Sequence, residues 1–225
     1  MLVLSHRGYH VRQPENTLEA FRAAIDLGVD GIETDIRLTS DGVPILFHDH
    51  LAPDGRAIAA LKHVELNAIA GYAVPTVDEA LDLPVPDAEK FVWNLEVKSP
   101  DSIEQTTCVV DRYRSRRRML VTSFWHPAIA EISRRVEVEC GLLVCHRPLA
   151  MQGRPAWIPN HGRVSSIVWC WEFADAELIS QSAACGFKNF VYGVTTADEH
   201  ARLASWQLDG VITDRPEYVL GTVPP

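Results

Sequence analysis

No stretch of this chain approaches the roughly 20 consecutive apolar residues that cross a bilayer, so stable membrane insertion is not expected. The opening MLVLSHRGYH turns polar after five residues, too short for the apolar core of a secretory signal. An excess of positive charge is missing as well: 21 Lys and Arg against 30 Asp and Glu give a formal net charge of -9. A nucleic-acid-binding face needs a positive field over the phosphates, so that class of partner is excluded. A small anionic substrate is not, because one metal ion or one Arg reverses the sign within a cleft. Cysteines at metal-ligand spacing are also absent. Cys108, Cys140, Cys145, Cys170 and Cys185 form an odd set in or beside apolar stretches, where Cys acts as a small hydrophobe. Reduced thiols and a cytoplasmic location are the expectation. Finally, no GxGxxG follows the first apolar run, which removes the phosphate-binding mark of a doubly wound dinucleotide fold.

What remains is ordinary globular material: 225 residues, 47% hydrophobic and 23% charged, which suits one domain over residues 1–225. Its dominant pattern is strand, loop, helix, repeated with short connections. MLVLSH reads as a strand. NTLEAFRAAIDLG follows as an amphipathic helix with Leu18, Phe21, Ala24 and Ile25 on its apolar face and Gly28 at its stop. Strands are expected to start near Leu2, Gly31, Phe91, Met119, Glu139, Ser165, Asn189 and Gly210. VPILFHD is a further extended piece after the SDG turn, and residues 51–75 form a short loop excursion after the second strand region. RPLAMQGRPAWIPNHG is the weakest helix reading. Strands alternating with helices imply parallel pairing, right-handed crossovers and an α/β fold. The simplest closed form is a TIM barrel, (β/α)₈.

A barrel carries its chemistry at the C-terminal ends of its strands. The first strand ends in Ser5-His6-Arg7-Gly8, the second carries Glu33 and Asp35, and the extended piece ends in His48-Asp49. A third carries Glu96 and Lys98, and later strands end in Ser123, Trp169-Cys170-Trp171, Thr195 and Asp214-Arg215. Glu33 and Asp35, two apart on a strand, point to one face and repel each other unless a cation, a proton or a basic partner intervenes. With Glu96 they make three hard oxygen ligands suited to one divalent cation, Mg²⁺ or Ca²⁺. The competing reading is a salt-bridge layer in which one acid pairs with Lys98. His6 and His48 are the candidates for proton transfer near neutral pH. Arg7 is a planar phosphate clamp and Lys98 a point charge beside it. His10, His50, His63, His146 and His161 read as surface residues, and His126 as a weaker candidate for substrate contact.

These residues resemble the glycerophosphodiester phosphodiesterase family across nearly the whole chain. The resemblance is carried by HRG at 6–8, PENT at 14–17, AF at 20–21 and GVDGIETDIRLTSDGVPILFHD at 28–49. PTVDEAL at 75–81, NLEVK at 94–98, SF at 123–124 and DGVITDRP at 209–216 complete it. It implies a TIM barrel that needs a divalent ion and cleaves small glycerophosphodiesters to sn-glycerol 3-phosphate and an alcohol such as choline or ethanolamine. It further implies Glu33, Asp35 and Glu96 as metal ligands, His6 and His48 as the catalytic pair, and Arg7 and Lys98 as phosphate contacts. Asn16 is expected near metal or phosphate, with Glu15 orienting the His6 loop. Two departures bear on specificity. The Arg-Thr-Thr insertion that many relatives carry after the HD pair is missing, and the late strand reads VYGVT at 191–195, with Tyr192 as an aromatic wall.

A lysophospholipase D-like activity on long-chain substrates is the alternative, resting on Trp157, Ile158, Pro159, Trp169 and Trp171. A silent phosphate-binding protein would lack an acid or a histidine, and none is missing. Self-association into a homo-oligomer stays open, since no sequence feature marks an interface.

Overall fold

The computed structural model describes residues 1–149, 151, 155–159 and 163–221. Its strands are β1 (Leu2–His6), β2 (Gly31–Leu38), β3 (Pro44–Leu46), β4 (Val92–Val97), β5 (Arg118–Ser123), β6 (Glu139–Val144), β7 (Val164–Cys170), β8 (Lys188–Tyr192) and β9 (Gly210–Thr213). All except β3 run parallel in one ring, each beside its successor, and β1 closes the ring by pairing with both β2 and β9. This is the expected TIM barrel. The extended piece is β3, which lies antiparallel to the end of β2 and outside the ring.

Alternation along the staves sorts side chains into two apolar shells. Outward residues such as Val3, Ile32, Trp93, Val121, Ile167 and Val211 join the helices in the larger core. Inside that shell Trp93 meets Phe21 and Phe91 edge-on, at 5.8 and 5.6 Å between centroids. Such aromatic pairs add about 0.5–1.5 kcal/mol each beyond their area. Inward residues Leu4, Val92, Leu120, Leu143, Val168, Phe190 and Ile212, one from each of seven staves, plug the barrel interior. Two residues further along, the inward positions become His6, Asn94, Thr122, Tyr192 and Asp214. The polar site therefore sits on the apolar plug, using the same strand faces.

The helices are α1 (Leu18–Leu27), α2 (His63–Ala70), α3 (Val77–Leu81), α4 (Ile103–Tyr113), α5 (His126–Arg135), α6 (Ala176–Ala184), α7 (Ala197–Leu203) and α8 (Glu217–Leu220). Thr17 caps α1 by accepting from the Ala20 N–H, and Gly28 ends it in the left-handed conformation at φ 87°. The excursion over residues 51–75 is more ordered than its composition suggests. It folds a 3₁₀ turn at Ile58–Ala60 and then α2 over a small core of Ile45, Ala52, Ile58, Leu61, Leu66 and Val74. The stretch between β6 and β7 lies partly outside the described residues, and those described there form no helix. The four-residue α8 was not legible in the sequence. Among the described residues no helix is long and apolar enough to cross a membrane.

At the plug level β2 offers Gly31, paired with both Leu4 and Val92. A Cβ there would stand 2.3 Å from the Val92 carbonyl oxygen, a backbone atom that cannot swing aside. Gly31→Ala is expected to lower stability by about 1–3 kcal/mol in urea unfolding. An unchanged midpoint would mean that β2 and β4 part without cost.

Candidate active site

Glu33 and Asp35 on β2 and Glu96 on β4 converge because Asp35 and Glu96 are in register on adjacent strands. All three are buried, and each offers a carboxylate oxygen within 4.8 Å of the others. Burial pushes Glu33 well above the usual carboxylate range, and the neighbouring Asp35 and Glu96 charges push further. Glu96 is raised by burial and then by Asp35. For Asp35 burial acts in the same direction, but Lys98, Arg7 and an Asn16 hydrogen bond outweigh it and hold the carboxyl low.

Those compensating groups are close. Lys98 Nζ lies 3.3 Å from Asp35 Oδ1 and 2.9 Å from Glu96 Oε1. Arg7 Nε lies 3.2 Å from Asp35 Oδ2, while its Nη1 donates to both Glu15 oxygens at 2.9 Å. Asn16 Nδ2 donates to Asp35 Oδ2 at 2.8 Å, and Asn16 Oδ1 accepts from Thr34 Oγ1 at 2.6 Å. Arg7 and Asn16 are both held at positive φ, 56° and 55°, and the Asn16 N–H donates to the Arg7 carbonyl at 2.9 Å. Left-handed backbone is uncommon at Arg, and here it turns two side chains back onto one carboxylate.

The histidines flank the acids. His6 Nδ1 lies 2.6 Å from Asp214 Oδ1 and its Nε2 lies 3.8 Å from Glu33 Oε2. His10 Nε2 reaches the same Asp214 oxygen at 3.1 Å. Burial would raise Asp214, but the hydrogen bonds from His10 and His6 override it and drive the carboxyl far down. His48 Nδ1 meets Asp49 Oδ1 at 2.8 Å, and Arg37 pins the His48 carbonyl with bonds of 2.9 and 2.7 Å. Burial lowers the His48 pKa against the pull of Asp35. One cavity joins His6, Arg7, Glu33, His48, Glu96 and Lys98. Tyr192 lines it too, its ring edge-on to Phe124 at 6.1 Å.

The sequence-derived residues thus fall together, with changes in detail. Asn16 stands behind Asp35, 2% exposed and off the walls of the main cavity. Glu15 grips Arg7, the residue after His6, with both carboxylate oxygens. His10, read as a surface residue, is half-buried on Asp214. His126 turns away, bonding the Leu143 carbonyl and stacking on Trp157. The Thr195 hydroxyl serves Glu199 at the start of α7. His161 lies outside the described residues. Asp214 and Arg37 were missed as functional residues. Asp214 was visible within DGVITDRP, yet only ring closure places it beside His6.

The sequence matches the glycerophosphoryl diester phosphodiesterase family over residues 6–218. The chain belongs to that family. A glycerophosphodiester phosphodiesterase from Caldanaerobacter subterraneus is 28% identical over 250 residues, covering 99% of this chain and 97% of the relative. A phosphodiesterase from Oleispira antarctica, solved in complex with the product sn-glycerol-3-phosphate, superposes with a TM-score of 0.83 at 25% identity, covering 98% of this chain and 96% of that one. A glycerophosphodiester phosphodiesterase from Thermotoga maritima shares the fold, with a TM-score of 0.79 at 24% identity over 98% of this chain and 97% of its own. The family members are enzymes, and glycerophosphodiester hydrolysis is the activity that goes with this membership.

Two measurements test the flank at His6. The Asp214 hydrogen bond raises the His10 pKa against burial, so the fold favours protonated His10. That contribution is complete below the ordinary value of about 6.5 and fades as pH rises through the raised value. Wild type and His10→Gln should therefore differ most in urea unfolding under mildly acidic conditions and converge at alkaline pH; a gap constant with pH contradicts this. Asp214→Asn keeps the shape but removes the charge behind His6. It should cut kcat for a glycerophosphodiester roughly ten- to a hundredfold with KM little changed. Equal loss in both variants of stability alone, with kcat intact, would make Asp214 merely structural.

Proposed function

We propose that the chain hydrolyses glycerophosphodiesters to sn-glycerol 3-phosphate and an alcohol, assisted by one divalent cation, Mg²⁺ or Ca²⁺, held by Glu33, Asp35 and Glu96. The observation that carries this reading is a cluster of three buried carboxylates, two of which, Glu33 and Glu96, line one cavity together with two histidines and two cationic side chains. The donor set suits a hard cation. It is all oxygen, Asp35 Oδ1 faces Lys98 without a hydrogen bond, and Glu33 is pushed toward its neutral form by the other acids. When bound, such an ion supplies Lewis-acid polarisation of the phosphoryl group.

The chain's own residues do the rest. Arg7 and Lys98 hold the phosphoryl oxygens; a guanidinium has five donors and an ammonium three, more than their carboxylate contacts use. His6 and His48 divide the proton work, one taking the proton of the attacking hydroxyl and the other returning one to the departing alcohol. The attacking oxygen is that of water or of the substrate's own 2-hydroxyl, the second route passing through a cyclic phosphate that water opens. Asp214 and Asp49 sit on the Nδ1 atoms of the two rings and leave each Nε2 for the substrate. Tyr192 offers an aromatic wall. In this reading residues 1–225 act as one such domain, and the five unpaired cysteines support a reducing, cytoplasmic compartment.

The long-chain alternative changes footing. Ile158 and Trp169 are buried and Trp171 stacks on Trp206 at 4.8 Å, so they form no apolar landing surface. Phe124 and Trp125, 41% and 52% exposed beside the cavity, are what favour it instead.

Release of sn-glycerol 3-phosphate from glycerophosphocholine and glycerophosphoethanolamine should require Mg²⁺ or Ca²⁺ and stop with EDTA. His48→Ala should lower it by at least about a hundredfold. No release with either ion, together with turnover of lysophosphatidylcholine, would replace this reading with the long-chain one.

A further inference from the structure

Just above the apolar plug, the inward layer of the barrel holds a pair of cysteines that the hydrolytic reading does not use. Leu143 and Val168 belong to the plug, so two residues further on Cys145, just after β6, and Cys170, at the end of β7, turn to the same interior face. Tyr192 joins them, two residues beyond the plug residue Phe190 on β8. The three are neighbours across adjacent staves. Val144 pairs with Trp169, which puts residue 145 beside residue 170, and Cys170 pairs with Tyr192. Tyr192 reports the closeness of both sulfurs: burial raises its phenol pKa most, followed by the charge of Cys170, a hydrogen bond with that thiol, and the charge of Cys145. Neither cysteine is in a disulfide; Cys145 is exposed and Cys170 half-buried. Cys140, near the other end of β6, makes the contrast, since it is fully buried and burial pushes its thiol up to about 12.

We propose that Cys145 and Cys170 are a hydroperoxide-sensitive dithiol that closes into a disulfide at the mouth of the cavity and unseats Tyr192. Adjacent strands lie about 4.8 Å apart, inside the roughly 4.4–6.8 Å between Cα atoms that a disulfide spans, and side chains on the concave face of a closed barrel converge. Exposure sets the order of events. The Cys145 thiolate attacks one oxygen of the peroxide, the O–O bond breaks, and a sulfenic acid forms while the other oxygen takes the thiol's proton and leaves as water. The Cys170 thiolate then attacks the Cys145 sulfur, the S–O bond breaks, and the hydroxyl takes the second thiol's proton and leaves as water. Two thiols give up two electrons, and one peroxide accepts them. The new bond draws the Cys170 sulfur toward β6 and removes the thiol that Tyr192 bonds. Because Tyr192 lines the substrate cavity with its ring edge-on to Phe124, that wall loses its support on the β7 side. An exposed disulfide is readily reduced again, which makes this a reversible brake and not a structural bridge. The effect on turnover rests on the hydrolytic reading above, whereas the disulfide stands on its own.

The test treats the reduced protein with hydrogen peroxide, blocks the remaining thiols, and follows both the peptide map and kcat/KM for glycerophosphocholine. The wild type should lose two of its five free thiols, yield linked Cys145 and Cys170 peptides, and fall about tenfold in kcat/KM, with recovery in dithiothreitol. Cys145→Ser, a change at an exposed position outside the catalytic set, should match the wild type when reduced, and under peroxide should form no link and keep its activity. In Cys170→Ser the first step should stop at a Cys145 sulfenic acid that dimedone traps. Absence of the link in the wild type, a link that leaves kcat/KM unmoved, or an equal activity loss in Cys145→Ser overturns the proposal. If the reduced wild type hydrolyses no glycerophosphodiester, the hydrolytic reading fails, and the peptide map by itself decides whether the dithiol closes.

Discussion

Three carboxylates crowded into a buried layer are the constraint from which the rest of this site follows. Glu33, Asp35 and Glu96 cannot all be charged there without compensation, and burial alone would neutralise them. Arg7 and Lys98 approach Asp35 from two directions, and Asn16 adds a neutral donor. Asp35 is consequently the acid held ionised, and Glu33 the one driven toward its protonated form. The left-handed backbone at Arg7 and Asn16 belongs to the same solution, since it folds the β1–α1 loop over Asp35. Glu15 then steadies the Arg7 guanidinium from outside. The metal-binding character proposed for the triad is the remaining part of this balance.

Much of the architecture was legible because it depends on local periodicity. Strand alternation put Glu33 and Asp35 on one face, and the same rule linked Glu96 to Lys98, so the acids and their cation could be read directly. The eight staves were readable for the same reason. Legibility ended where a contact depends on ring closure or loop conformation. His6 and Asp214 are 208 positions apart and meet only because β9 pairs with β1. Asn16 was expected near the metal or phosphate, but that its amide is spent on Asp35 depends on a positive φ that periodicity does not disclose. The hold of Arg37 on the His48 carbonyl arises from a hairpin, where the antiparallel pairing of β3 brings residue 48 back beside residue 37.

The excursion after β3 shows how a short segment can alter a mouth without altering the barrel. Its residues have an apolar core of their own, separate from both barrel shells. Substitutions on its inner lip therefore act on the neighbourhood of His48 while the plug and outer core stay intact. The acids sit on staves and Lys98 directly follows one, where a change of register would turn the acids from the interior to the helices. Rigid chemistry and adaptable recognition are thus assigned to different parts of the chain.

The pairing of β1 with β9 also sets a timetable. During synthesis the strand bearing His6 emerges some 208 residues before Asp214. A nascent chain can gather all three acids, Lys98 and His48 within its first hundred residues or so, yet His6 has no carboxylate behind it until the final stave docks. The last part of the histidine's surroundings is thus tied to the step that closes the ring, and the completeness of the site reports the completeness of the barrel.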